Sequence, residues 1–411
     1  MLYLEVIFLY RYSIDMKQFY SKDLIEPSEV IMRDVCGVKE NERVLIITNP
    51  EENVLQISMA LYDAAKKQGG IPVLEIQDEK TLLDYADKSV NMALKSEPDV
   101  ICSISSNKLG KDEEGMKTPY VINGEEFTSI FNYLLDGKKC SRGIWTPGIT
   151  LDMFKRTACI DYALLDSRCK KLSEKYRGAV SVHVTAPAGT DIEVPIEGRQ
   201  CFSDDGQFVT PGTGGNIPAG EVFISPLVGK SEGKIVFDGS MSLTGGDIKI
   251  TEPIICDVKA GFVTDIYNSK GSAEFIEETE CLQLIKTEGA AAGKEASLLY
   301  TSVTMAERKA SQAFTDGLFS REKAEQYTKN ARNIGELGIG LNPAATIAGN
   351  MLEDEKAFRT CHFAIGLNYD NDAPSFIHLD GVVRNPTIVI KYADGSTFTV
   401  EKDGELNPEL S

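Results

Sequence analysis

Histidine is scarce in this sequence, and cysteine, though present, is not organised. Only three histidines occur in 411 residues, at His183, His362 and His378, so imidazole chemistry has few places to reside. The nine cysteines are odd in number and include no CxxC pair, which argues against both a disulfide scaffold and a Cys-based zinc site. Free thiols serving as small apolar residues fit a reducing cytosol, and the expected location is cytoplasmic. No apolar run is long enough to span a bilayer. Basic side chains are in deficit, 43 against 62 acidic, for a net charge of −19. So acidic a surface repels phosphate backbones and anionic lipid, which disfavours nucleic-acid and membrane partners. No GxGxxG follows a strand signal, and no GxSxG occurs. Gly289-Ala-Ala-Ala-Gly293-Lys294 lacks the spacing and the Ser/Thr of a P-loop. Cys361 sits next to His362, but adjacent strand residues face opposite ways, so it reads as packing.

What is present begins with enough apolar sequence, 42 %, for well-packed cores in a chain whose length predicts two domains. Residues 1–15 are apolar and aromatic without the pattern of a secretory signal. They read as an upstream extension with a start at Met16, or as a strand or helix packed on the body. From residue 44 strand and helix signals alternate: strands at 44–48, 71–76 and 100–104, helices at 53–68 and 79–95, the first with Leu55, Met59 and Tyr62 on one face. This order predicts a three-layer α/β domain over residues 1–176 with a largely parallel sheet. After a helical stretch at 151–175 the character changes. Alternating strand segments at 179–185 and 191–196, recurrent glycine turns and a hairpin about Asp394-Gly395 follow, with helical insertions near 274–297 and 305–332. Residues 177–411 are expected to form a mixed α+β domain with a curved or barrel-like sheet.

Two of the three histidines lie within seventeen residues of each other. In His378-Leu379-Asp380 the neighbours are strand-like, and residues i and i+2 of a strand share a face. Imidazole and carboxylate then point at one place, as a chelating metal site requires. A strand histidine hydrogen-bonded to a nearby Asp is the commoner reading of such a pair. Glu221 follows the turn Asn216-Ile-Pro-Ala-Gly220. Glu336 lies in the apolar, glycine-rich Asn333-Ile-Gly-Glu-Leu-Gly-Ile-Gly340, where burial is costly unless the carboxylate is paired or bound to metal. Glu353-Asp354-Glu355 reads by itself as a helix or turn facing water, and His183, between two valines, as a sheet-face histidine.

Taken together, Thr185-Ala-Pro-Ala-Gly-Thr-Asp191, Asp204-Asp-Gly206, Gly215-Asn-Ile-Pro-Ala-Gly-Glu-Val-Phe-Ile-Ser-Pro226, the Glu336 segment, Leu352-Glu-Asp-Glu-Lys356, His362-Phe-Ala-Ile-Gly366 and His378-Leu-Asp-Gly381 resemble, in order, the metal-dependent aminopeptidases that include aminopeptidases T, S and II. The resemblance implies two divalent ions (zinc, cobalt, manganese or magnesium) held by Glu221, Glu336, His362, His378 and Asp380, with Glu336 shared between them. It implies a catalytic role for Tyr369 at the reacting oxygen and for a glutamate before the first His, with Glu355 preferred and Glu353 second because the spacing departs from the family's. It also implies peptide substrates and a homodimer. About forty extra residues between the Glu221 and Glu336 motifs, and a glycine-poor loop at 368–374, depart from the family pattern. The expected reaction is removal of N-terminal residues by a metal-activated water. Ring-cleaving iron dioxygenases are related to this family. A mononuclear Fe(II) site on His362, His378 and Asp380 is the first rival reading, followed by a non-catalytic binding protein on the same scaffold and a hydrolase of non-peptide amides.

Overall fold

A computed structural model describes residues 19–411 except 82, 83 and 288. The expected extension at 1–15 and the start at Met16 lie outside the described residues.

The first half builds a parallel sheet and takes one edge strand from beyond residue 176. Its strands run Ile71–Ile76, Arg43–Thr48, Val100–Ile104, Arg142–Trp145 and Gly214–Asn216 across the sheet, every neighbouring pair parallel. Alternate residues of Arg43–Thr48 feed two apolar layers. Val44 and Ile46 pack with the helix Glu52–Lys67, while Leu45 and Ile47 pack with Val90, Leu94 and Phe131 on the other face. A strand buried on both faces is apolar throughout, which is why Val44 to Ile47 shows no alternation. The Glu51 side chain caps the helix by accepting from the backbone N–H groups of Asn53 and Val54. Its core face is Val54, Ile57, Leu61 and Ala65, one position away from the expected Leu55, Met59 and Tyr62 stripe, whose members are half-buried. The helix expected over 79–95 begins only at Lys88–Lys95. Ahead of it Lys80 bridges to Lys108 and Tyr85 to Lys111, so those backbone groups serve an extended segment.

The second half is mixed and antiparallel. A seven-stranded sheet, with Cys201–Asp204, Glu221–Ile224, Ile334–Gly340, Thr360–Gly366, His378–Arg384, Ser240–Leu243 and Gly246–Lys249 in spatial order, carries all the metal-ligand candidates. A nine-stranded sheet holds Ala179–Thr185 and the hairpin Thr387–Tyr392/Thr397–Lys402. His183 lies there, its Nε2 2.8 Å from Asp191. The helical stretch at 151–175 is two helices, Leu151–Thr157 and Tyr162–Tyr176, each capped by its own Thr or Asp. The insertions near 274–297 and 305–332 resolve into Glu278–Lys286, Glu295–Thr315 and Arg321–Asn330. Among the described residues no helix is long and apolar enough to cross a membrane.

One ion pair fastens the helix Leu151–Thr157 to the short helix Met351–Asp354 that precedes Thr360–Gly366. Arg156, on Leu151–Thr157, holds both carboxylate oxygens of Glu353, at 2.5 and 3.0 Å. Glu353 is fully buried and also accepts from Thr346. Arg156→Met leaves that carboxylate with hydroxyl and amide donors but no cation. Breaking a buried pair costs ~3–5 kcal/mol, and the partial exposure of Arg156 places the expected loss near the lower end, measurable as a shifted urea midpoint.

Candidate metal centre

The centre is assembled by strand register. Glu336 faces Ala364, which faces Asp380, so these three form one row across the strands. Gly338 faces His362 in the next row, and Gly366 faces His378. Beside them Glu221 pairs with Gly340 on one side and Asp204 on the other. Side chains of i and i+2 share a face, so all the candidates stand on one side of the sheet. Small residues at 338, 340, 364 and 366 leave that face open.

Gly338 shows how closely the space is fitted. A Cβ there would lie 2.0 Å from His362 Nε2. The His362 ring is fully buried and its Nδ1 has no hydrogen-bond partner among the described residues, so packing over Gly338 orients it in place of the acceptor that usually fixes a ligating imidazole. Gly338→Ala is expected to displace the ring and weaken divalent-ion affinity by about 10–100-fold, the scale for losing an orienting partner. Titration calorimetry checks this, with an unchanged circular-dichroism spectrum as the folding control.

The polar contacts are dense. Glu336 Oε1 lies 3.1 Å from His362 Nε2, and Oε2 lies 3.1 Å from His378 Nε2. His378 Nε2 is also 3.3 Å from Asp380 Oδ1, and His362 Nε2 is 3.3 Å from Glu221 Oε2. Burial opposes ionisation of Glu336, but the two histidines outweigh it and bring its carboxyl down to about 2. Burial likewise opposes charging of His362, and Glu336 and Glu221 raise it to about 9. His378 moves the same way: Asp380 and Glu336 overcome burial.

These groups fit a divalent cation. His378 Nδ1 is 2.8 Å from the Leu367 carbonyl, so the ring donates there and a neutral ring keeps its lone pair on Nε2. That lone pair faces two carboxylate oxygens. Among the described residues Asp380 Oδ1 and Glu221 Oε2 are buried with no hydrogen bond. Acceptors pointed at one another call for a positive charge between them. Among the described residues two groups of donor atoms, those of each group lying within 4.8 Å of one another, meet this description: Glu336, His362 and Asp380, and Glu221, Glu355 and His362.

The acidic run preceding His362 is not a solvated face. Glu353 pairs with Arg156, Asp354 accepts from the Ala348 and Gly349 N–H groups, and both are fully buried. Glu355 alone of the three reaches the centre, where burial raises its carboxyl to about 8 against the pull of Lys356. Three participants were not foreseen from sequence. The Lys356 ammonium, fully buried, lies 2.5 Å from Glu221 and 2.5 Å from Glu355. Asp204, opposite Glu221, is 3.8 Å from the same nitrogen. Gly338 is the third. The Asp204-Asp-Gly206 motif and the lysine in Leu352-Glu-Asp-Glu-Lys356 were the signals available.

Tyr369 stands at the mouth. Its ring packs against Phe202, Phe223 and His378, with centroids 6.1, 4.9 and 5.3 Å away. Among the described residues no hydrogen bond reaches its hydroxyl. On its far side Tyr369 lines a cavity of about 860 Å³ between the two halves of the chain, together with Phe202, Phe208, Trp145, Phe131 and Lys108. None of the ligand candidates lines that cavity; Tyr369 lines it and also packs on His378.

The chain has a two-part α/β and mixed scaffold with side-chain clusters able to hold divalent metal. Two solved structures share this fold. The 2,5-dihydroxypyridine dioxygenase of Pseudomonas putida KT2440 aligns over 94 % of this chain and 98 % of its own, with TM-score 0.62 and 18 % identity. AmpT, the aminopeptidase T of Thermus thermophilus, aligns over 93 % and 98 %, with TM-score 0.59 and 15 % identity. At such identities the likeness is one of fold. The family model for NicX, 2,5-dihydroxypyridine 5,6-dioxygenase, matches residues 153–279, under a third of the chain. No curated protein matches the sequence.

Proposed function

We propose that the chain is a single-metal enzyme that opens a hydroxylated aromatic ring with dioxygen. The observation that carries the reading is the place of Tyr369: it lines a cavity together with Phe131, Trp145, Phe202 and Phe208, and its ring packs on His378. A flat substrate has faces of Phe202 and Tyr369 to lie against, and offset or edge-on ring contacts favour it over an extended peptide. Two imidazoles and a carboxylate with open positions suit Fe(II), and an iron ion held by His362, His378 and Asp380 would supply oxygen activation. The chain's own groups do the rest. Lys108, with no ion pair among the described residues, offers a cation to an acidic ring substituent. Tyr369 offers an unengaged hydroxyl to a developing negative charge. The partial family match and the Pseudomonas likeness support this order of preference over the hydrolase expected from sequence.

The hydrolase remains the second reading because of one observation: the two oxygens of Glu336 each face a different histidine, the placement of a carboxylate shared by two ions. On that reading Glu355 would take the proton of the attacking water, peptides would be the substrates, and the chain would pair as a homodimer.

The test loads the full chain with Fe(II) and measures oxygen uptake with hydroxylated pyridines and aromatic diols. In parallel it measures chelator-sensitive release of N-terminal residues from short peptides with cobalt, zinc, manganese or magnesium. Oxygen uptake with a ring-opened product and intact peptides is the expected result. Peptide cleavage without oxygen uptake would establish the second reading instead.

A further inference from the structure

The loop Asn368-Tyr-Asp-Asn-Asp-Ala-Pro374 is poor in glycine and acidic, and neither reading above gives its two aspartates work. It joins Thr360–Gly366 to His378–Arg384 and carries Tyr369 on turns and bends, with no helix or strand to hold it. Arg199 takes both aspartates. Its Nη1 lies 3.3 Å from Asp370 Oδ1, and its Nη2 lies 2.8 Å from Asp372 Oδ2. The arginine side chain is only 11 % exposed, and among the described residues no other cation pairs with either carboxylate. Nη2 also donates to the Pro226 carbonyl at 3.2 Å. The neighbouring Ser225 Oγ accepts from the Tyr369 N–H, also at 3.2 Å.

The anchor is itself fixed. Arg199 closes the turn that follows Asp191–Pro195, its N–H donating to the Ile196 carbonyl at 2.9 Å. Three residues further on, Phe202 lies against the Tyr369 ring, with centroids 6.1 Å apart. One short segment therefore grips the loop twice, by charge just after Tyr369 and by a ring against it. Asn368 braces the loop from within: its amide donates to Asp372, and its oxygen accepts from the Ala373 N–H at 3.1 Å. We infer that Arg199 is a positioning residue, which clamps Asp370 and Asp372 so that Tyr369 keeps its place against His378. The planar guanidinium suits this because its fork reaches two carboxylates at once, where an ammonium is a single point of charge. The inference rests on the catalytic role given to Tyr369 above, and it holds for either chemistry.

Two measurements on the full chain test it. In the first, the tyrosines are replaced by fluorotyrosine, and the Tyr369 fluorine resonance is identified by its loss in Tyr369→Phe. Arg199→Gln is expected to move that resonance while the bulk of the others stay in place. In the second, turnover is followed in whichever of the two assays above responds. Arg199→Gln is expected to lower kcat by up to about 10²-fold, the scale for misplacing a reacting group by about 1 Å, with KM within a few-fold. Added to Tyr369→Phe it is expected to cost nothing further, because residues that act as a unit are not additive. Arg199→Lys is expected to fall between wild type and Arg199→Gln. Should Arg199→Gln fail to fold, Asp372→Asn, at an exposed position, removes one arm of the clamp and takes its place in both measurements. An unmoved Tyr369 resonance overturns the inference whether or not either assay responds. An undiminished loss of kcat when Arg199→Gln is added to Tyr369→Phe overturns it too, since that marks a merely structural role. Wild-type kcat in Tyr369→Phe overturns the catalytic reading of Tyr369 and this inference with it.

Discussion

His378→Ala is expected to empty the centre and abolish turnover, whereas Glu336→Gln keeps a bound ion at reduced affinity. The contrast follows from what each group offers. His378 presents a lone pair fixed by its bond to the Leu367 carbonyl, and alanine leaves nothing at that position. Glutamine keeps the shape of Glu336 and one oxygen. Its amide N–H₂ is a donor, and it can be accommodated facing only one of the two histidines. For a single ion on His362, His378 and Asp380, losing the adjacent charge is comparable to losing an outer partner, about 10–100-fold in affinity. Losing His378 costs more than that, because a ligand itself is gone. If Glu336 instead bridges two ions, glutamine removes the charge between them and both leave. Parallel calorimetric titrations of the two variants separate the cases: Glu336→Gln as damaging as His378→Ala would favour the hydrolase.

The same residues show where sequence reasoning reaches and where it stops. His378 and Asp380 were legible because a period of two is local and histidine is scarce. Glu336 was legible because a carboxylate inside Ile334–Gly340 must be matched by something positive. Local signals also placed the strands Arg43–Thr48, Ile71–Ile76 and Val100–Ile104. What failed depends on register between distant segments. That Gly338 makes room for His362, or that Asp204 and Glu221 stand side by side, is decided by which residues face each other across strands, and no single-strand pattern carries that. The acidic run at 353–355 shows the limit most clearly. Three adjacent acids read as a wet surface, yet each meets a partner the run does not contain: Arg156, the Ala348 and Gly349 amides, and Lys356. The helix at 79–95 fell short for a related reason, since the bridges of Lys80 and Tyr85 to 108 and 111 outweigh helical propensity.

Tyr369→Phe is expected to lower kcat about 10²–10³-fold while leaving KM within a few-fold, the scale for removing one donor aimed at developing charge. The ring contacts with Phe202, Phe223 and His378 persist in phenylalanine, so whatever the ring contributes to binding is kept. Only the hydroxyl is lost, and among the described residues it has no protein partner to leave stranded, so stability should hardly change. An interaction made only in the transition state lowers kcat and kcat/KM equally. Tyr369→Ala removes the ring as well. It takes away the face on which a flat substrate would lie, and it is expected to raise KM in addition to repeating the loss in kcat. The pair of variants thus assigns the two halves of the side chain separately. A Phe variant with raised KM and unchanged kcat would place the hydroxyl in substrate binding. An Ala variant indistinguishable from Phe would mean that the substrate does not lie against this ring, and the ring-opening reading, which rests on the place of Tyr369, would lose its support.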